Sequence, residues 1–192
     1  MALIDYQAGE DFSAGGFLDE PGWYHLVVVD VSAPPTKRDG SLIDNGFFSL
    51  HVQVLTGSVS GQEEKTTTLT FFHPRDTDKD GGEFRRKVND RAFLATGILR
   101  PEDKGKQVSI DLDAMRGRQI IAKLEKSKDE KYLQLAFSEI YHVDDPAVKS
   151  TPKSADALKL IPVDQRMVGS KAPPAPKPSA PAAPLDINQV SL

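Results

Sequence analysis

The chain has 192 residues, 27% of them charged, a net charge of −4 and no cysteine. That length carries one sizeable domain plus a tail, and the missing cysteine excludes a disulfide framework and any thiolate metal site. No run approaches the roughly 20 apolar residues that a membrane helix needs, so no membrane role is expected. The charge is uneven: residues 1–145 carry a net −7 and residues 146–192 a net +3. An acidic body argues against a polybasic binder. It leaves room for a local basic groove, because salt limits the reach of a distant charge to about 8–10 Å.

Residues 1–22 read as a lead-in, broken by Gly9, Gly15 and Gly16, with Phe12, Phe17 and Leu18 able to pin it to a domain. Its opening, MALIDYQAGEDF, has no basic region followed by an apolar stretch, so it is not expected to be a signal peptide. Pro21-Gly22 marks a turn. WYHLVVVDV (23–31) is apolar on both parities, which suits a strand whose second face is also covered. Pro34-Pro35 ends it. A polar connection follows with Lys37 and Arg38, and with Gly40 and Asn45-Gly46 as turn residues.

Residues 47–74 read as two strands joined by a turn at Gly57 and Gly61. Phe48, Leu50, Val52 and Val54 alternate with Phe47, Ser49, His51 and Gln53, and Thr67, Leu69 and Phe71 with Thr68, Thr70 and Phe72, so one face is buried. The other face carries Phe47, His51 and Phe72 among threonines. Exposed aromatics on a sheet need a reason.

A loop, RDTDKDGGE, comes next. From Phe84 the period changes: Phe84, Val88, Ala92 and Ala95 recur at helical spacing, and Gly97 and Pro101 bracket the helix end. Residues 101–117 fit either a short strand or a turn of helix. Residues 118–143 read as a second hairpin. Ile120, Ala122 and Leu124 face one way, as do Leu133, Leu135 and Phe137, with the turn at Lys126 to Lys131. After Asp145 the composition shifts. The segment ADALKLIPVDQRM keeps enough apolar content to dock, and residues 171–184 are Pro/Ala-rich and expected to be extended and disordered.

The order is strand, strand, strand, helix, strand, strand. That order predicts a mainly β, five-stranded antiparallel oligonucleotide/oligosaccharide-binding (OB)-like barrel with a helix between strands 3 and 4. The domain limits follow: lead-in 1–22, barrel 23–145, flexible tail 146–192. Such a barrel binds through strands 2–3 and the 1–2 and 4–5 loops. Lys37 and Arg38 fall in the first loop. Lys126, Lys128 and Lys131 fall in the second, with Tyr132 beside them. Phe47, His51 and Phe72 fall on the strand 2–3 face, with Arg75 at its end. Cations that track phosphates and rings that stack on unpaired bases are the parts single-strand binding needs.

Asp76, Asp78, Asp80 and Gly81 copy the first half of an EF-hand loop. The twelfth position is Lys87 where a bidentate Glu is required, so no metal is expected. No nucleophile elbow, P-loop or dinucleotide fingerprint is present, and no acid/base pair is defined by spacing. The expected function is therefore non-enzymatic and needs no cofactor.

PGWYHLVVVDVSAPPTKRDG, FFSLHVQVLTGSVSGQ, FLATGIL and the late hairpin ending Glu139-Ile140 are similar to a family of small phage-encoded proteins. The shared features are the Pro21-Gly22-Trp23-Tyr24 turn, the Pro35-Thr36-Lys37 to Gly40 loop, and Val54-Leu55-Thr56-Gly57 to Gly61. The resemblance covers about residues 5–143. It implies an OB-like, single-stranded-DNA-binding or recombination-associated protein of the host cytoplasm; the residues themselves leave DNA and RNA open as the single-stranded ligand. Replication or recombination proteins are the partners implied for the tail. The tail departs from single-strand binders that end in an acidic tip, since Asp186 is its only acid after Asp164. The alternative is a β-barrel protein–protein interaction module, favoured if Asp39, Asp44, Glu63 and Glu64 face the groove.

Overall fold

The computed structural model describes residues 16–37 and 39–166. Phe12, Arg38 and the Pro/Ala-rich stretch at 171–184 therefore lie outside the described residues. Five strands form one antiparallel sheet: β1 (Gly22–Ser32), β2 (Gly46–Gly57), β3 (Thr66–Phe72), β4 (Gln119–Lys126) and β5 (Leu133–His142). Their order across the sheet is β3-β2-β1-β4-β5, and the sheet curls into a half-barrel so that its edge strands approach each other.

The curl has local causes. The β1–β2 register shifts between His25 and Leu26 and again between Val28 and Asp30, and the β2–β3 register shifts between Gly46 and Phe48. Each extra residue bends its strand and increases the twist. The concave face buries Tyr24, Leu26, Val28, Phe48, Leu50, Val52, Leu69 and Phe71. Helix α1 (Glu83–Ala95) packs against β5 and β3 and adds Ala92, Phe93 and Ala95 to the same core. The Asp80 carboxylate starts α1 by accepting from the Phe84 and Gly82 N–H groups. Those bonds, the Phe84 one foremost, hold its pKa below the usual carboxylate value. The helix stops at Gly97 (φ 71°), where Gly97 N–H donates to Leu94 O and Ile98 N–H to Phe93 O. This is the Schellman closure that a glycine permits. Residues 101–117 hold two 3-10 turns, Pro101–Asp103 and Asp113–Met115, and Met115 is fully buried.

Apolarity on both parities of β1 predicts a covered second face; that face is covered at Trp23 and His25 while Val29 is 47% exposed, and the cover comes from an unexpected source. Composition places the domain end at 145. The chain instead continues against the half-barrel as a strap: a 3-10 turn (Pro146–Val148), α2 (Ala155–Lys159) and α3 (Val163–Arg166). Val148 and Ile161 join Ile121 and Val143 in a second core, with Trp23, Tyr141 and Leu158 packed around it.

Polar groups clasp the strap. His25 accepts the Ser154 N–H on Nδ1 at 3.1 Å, so its Nε2–H donates to Gln119 Oε1 at 3.0 Å. Gln165 is fully buried. It accepts from Gln119 N–H and donates to Ala95 O at 3.2 Å and Gln119 O at 2.6 Å. Arg118 pairs with Asp164.

Tyr24 fills the top of the core and donates to Glu20 O at 2.7 Å. Burial pushes its pKa up to about 12. A Cβ on Gly57 would stand 2.3 Å from Tyr24 Cδ1 and 2.9 Å from Trp23 O. Gly57→Ala is therefore expected to destabilise by about 1–3 kcal/mol through overpacking. Thermal melting checks this, and an unchanged Tm would contradict the close approach.

Candidate nucleic-acid interface

The two edge strands, β3 and β5, face each other without pairing. A cavity of about 500 Å³ lies between them, within the usual range for ligand pockets. Three elements build its wall. β3 gives Thr68, Leu69, Thr70 and Phe72. The β4–β5 turn and β5 give Tyr132, Leu133, Gln134 and Leu135. The β1–β2 connection gives Lys37 and Ile43. Three of the residues expected from the sequence, Lys37, Phe72 and Tyr132, thus meet at one opening.

Each is positioned by its own local structure. Lys37 sits in a tight turn, with its N–H donating to Ser41 O at 2.7 Å and Gly40 N–H donating to Lys37 O at 2.9 Å. Phe72 is 37% exposed, and the Arg85 guanidinium lies 5.7 Å from its ring centroid. Arg85 is fixed there by a hydrogen bond from Nη1 to His73 O and an ion pair with the Asp78 carboxylate. Tyr132 is 63% exposed at the base of a turn organised by buried Ser127. Ser127 N–H donates to Tyr132 O at 2.9 Å, and the Ser127 hydroxyl donates to Asp129 at 2.7 Å. That hydroxyl is the main reason the Asp129 pKa lies below the usual value. Lys126, Lys128 and Lys131 are exposed around the same turn, and Lys131 lies 3.5 Å from Asp129.

Other expected residues stand elsewhere. Alternation predicts Phe47 on the open face. The structure makes it the extra residue of the β2 bulge and packs its ring against Phe48, Phe93 and His73, with centroids 5.2, 6.3 and 4.4 Å away. His51 is on the outer face, bonded to Ser32 Oγ at 3.2 Å and Thr68 Oγ1 at 3.0 Å. It reaches the cavity only through Thr68. Arg75 lies past the end of β3, 3.8 Å from Asp44.

The acids near the path are tied into their own turns. Asp39 accepts from the Ser41 hydroxyl and N–H, and the hydroxyl is the leading cause of its lowered pKa. Glu63 accepts from Gly61 N–H at 2.9 Å. Neither lines the cavity, nor do Asp44 and Glu64. Lys37 is the only charged side chain among the described wall residues.

Two exposed aromatics escape the sequence patterns. Phe137 is expected inward beside Leu133 and Leu135, and Phe84 on the buried face of α1. They are 78% and 50% exposed. No local residue pattern flags either, because the cause for Phe137 is a register change against β4. Among the described residues, no group of three His, Cys, Asp or Glu side chains is placed to hold a metal ion. No helix of the described residues is long and apolar enough to cross a membrane. No protein-family model matches the chain, and no curated protein matches it significantly.

Proposed function

We propose that this chain is a non-enzymatic, OB-like binder of single-stranded DNA that serves phage or prophage replication, recombination or repair. The observation that carries the reading is the β3–β5 cavity, where one cation, Lys37, stands beside two exposed rings, Phe72 and Tyr132, and no carboxylate lines the wall. Phosphates are drawn by the cations of the two loops. Bases stack on the rings at about 1–3 kcal/mol each, with little sequence preference because every base has a π face.

The test is fluorescence anisotropy of a labelled oligo-dT at low and moderate salt. Affinity is expected to fall steeply with salt, because each neutralised phosphate releases counterions. Tyr132→Ala is expected to weaken binding by about 1–3 kcal/mol with stability unchanged. Lys37→Glu is expected to flatten the salt dependence. Absence of binding at low salt, or binding insensitive to salt, overturns the proposal. Competition with oligo-U separates DNA from RNA.

A further inference from the structure

We infer that the bound strand continues along the β3–β5 seam to a second stacking station made by Phe137 and Phe84 beside a strained bulge in β5. This rests on the proposed single-strand binding.

The bulge is the first observation. Leu124 of β4 pairs with Leu135, but Ala122 pairs with Ile140, so residues 136–139 of β5 oppose Lys123 alone. Within it Phe137 and Ser138 have φ of 35° and 65°. Two successive non-glycine residues in the left-handed region are uncommon and strained. Ala136 and Ile140 are buried on either side, so the distortion is clamped at both ends. Arg91 of α1 braces it, with Nη1 donating to Ser138 O at 3.0 Å and to Ser138 Oγ at 3.3 Å. The effect is to turn Phe137 from the core face into solvent. Regular alternation would have buried that ring at no strain.

The second observation is continuity. A cavity of about 320 Å³ is lined by Phe84, Phe137 and Ser138 and shares Thr70, Phe72, Gln134 and Leu135 with the first. The two form one groove. Rings follow one another along it, Tyr132, Phe72, then Phe84 and Phe137, with Lys37 in the wall at one end. Arg85 stands over Phe72, and Arg91 is bonded to Ser138 behind the bulge. One carboxylate, Glu125, lines the second cavity and accepts from Gln134 Nε2 at 3.2 Å, while Asp78 is paired with Arg85. A row of exposed rings with a cation at one end matches a strand whose flat bases stack in succession. An extended peptide is the poorer occupant, because strand addition needs an unbroken edge ladder and the bulge breaks that of β5.

The test uses Phe137→Gly and Phe137→Tyr in the full chain, with oligo-dT of about 4 and about 16 nucleotides, the span of site sizes for such folds. Glycine adopts positive φ freely. Phe137→Gly is therefore expected to leave the Tm close to wild type while weakening the longer oligonucleotide about tenfold and the shorter one little. Phe137→Tyr keeps a ring and is expected to restore affinity. If wild type binds the longer oligonucleotide and Phe137→Gly binds it equally, the second station is overturned and the first remains. If wild type binds neither, single-strand binding itself fails. A large fall in Tm with Phe137→Gly that Phe137→Tyr restores, without a selective loss of the longer oligonucleotide, shows a packing role and also overturns the inference.

Discussion

Phe48→Ala is expected to cost about 3–5 kcal/mol, the range for truncating a fully buried aromatic without repacking. Phe48 is fully buried, and three elements meet on its ring. It stacks on Phe71 of β3 at 4.6 Å and 11°, and on Phe93 of α1 at 5.2 Å and 22°. Neither neighbour can follow the vacated space freely, since each is fixed in its own strand or helix. Domains of this size are stable by about 5–15 kcal/mol, so the loss takes a large share of the total. Urea unfolding followed by the fluorescence of Trp23, the one tryptophan, reads it as a shift in midpoint at unchanged slope. Phe48→Leu keeps most of the apolar volume and is expected to lose less. A loss below about 1 kcal/mol for Phe48→Ala would show that this stack is not the centre of the core.

Acidification from about pH 7 to pH 4 is expected to remove about 3 kcal/mol of stability through His25. Burial pulls its pKa down to about 4, helped by the nearby Lys153 charge and opposed by the bond to Gln119. The unfolded chain takes up this proton near pH 6.5 and the folded chain only near 4. In that window the unfolded state binds more protons, so stability falls as pH falls. Protonation at Nδ1 also removes the acceptor for Ser154 N–H, which loosens the strap at its first clasp.

The paired carboxylates act later. Asp19, Asp30, Asp80, Asp129 and Asp164 have lowered pKa values, so their contributions are lost only below about 3.8. Asp90, raised by burial, acts with the opposite sign and stabilises the acid side of its own window. Chemical unfolding between pH 7 and 4, with His25→Gln as control, checks the assignment. The control is expected to lack the fall that wild type shows. A wild type that is equally flat would place His25 in a wetter site than its burial implies.

The alternating runs of β2 and β3 were legible because a strand with one buried face writes period two directly into the chain. The helix was legible for the matching reason, and Gly97 marked its end. Two-sided apolarity in β1 announced a covered second face, which holds at Trp23 and His25 but not at exposed Val29, and it did not announce the cover. The strap from Pro146 to Arg166 has modest apolar content, with Val148 and Ile161 as its buried anchors. It holds through the polar partners His25, Gln119 and Gln165, whose identities carry no periodic signal.

The candidate groove was half legible. Lys37, Phe72 and Tyr132 could be singled out as cations and rings on the expected elements. Their meeting at one opening depends on how far the sheet curls. Phe47 and Phe137 exchanged the roles that alternation gives them, because bulges at Gly46/Phe48 in β2 and at residues 136–139 in β5 reversed their faces.

The sequence by itself determined where strands and helix run, which residues turn the chain, and that rings and cations sit near strand ends. These follow from φ/ψ preferences and side-chain period, which act over a few residues. Only the tertiary structure decided register, the approach of β3 to β5, the docking of the strap and which aromatics face solvent. Those depend on contacts between residues tens of positions apart, such as Gln165 with Ala95 and Arg91 with Ser138, whose balance no local window contains.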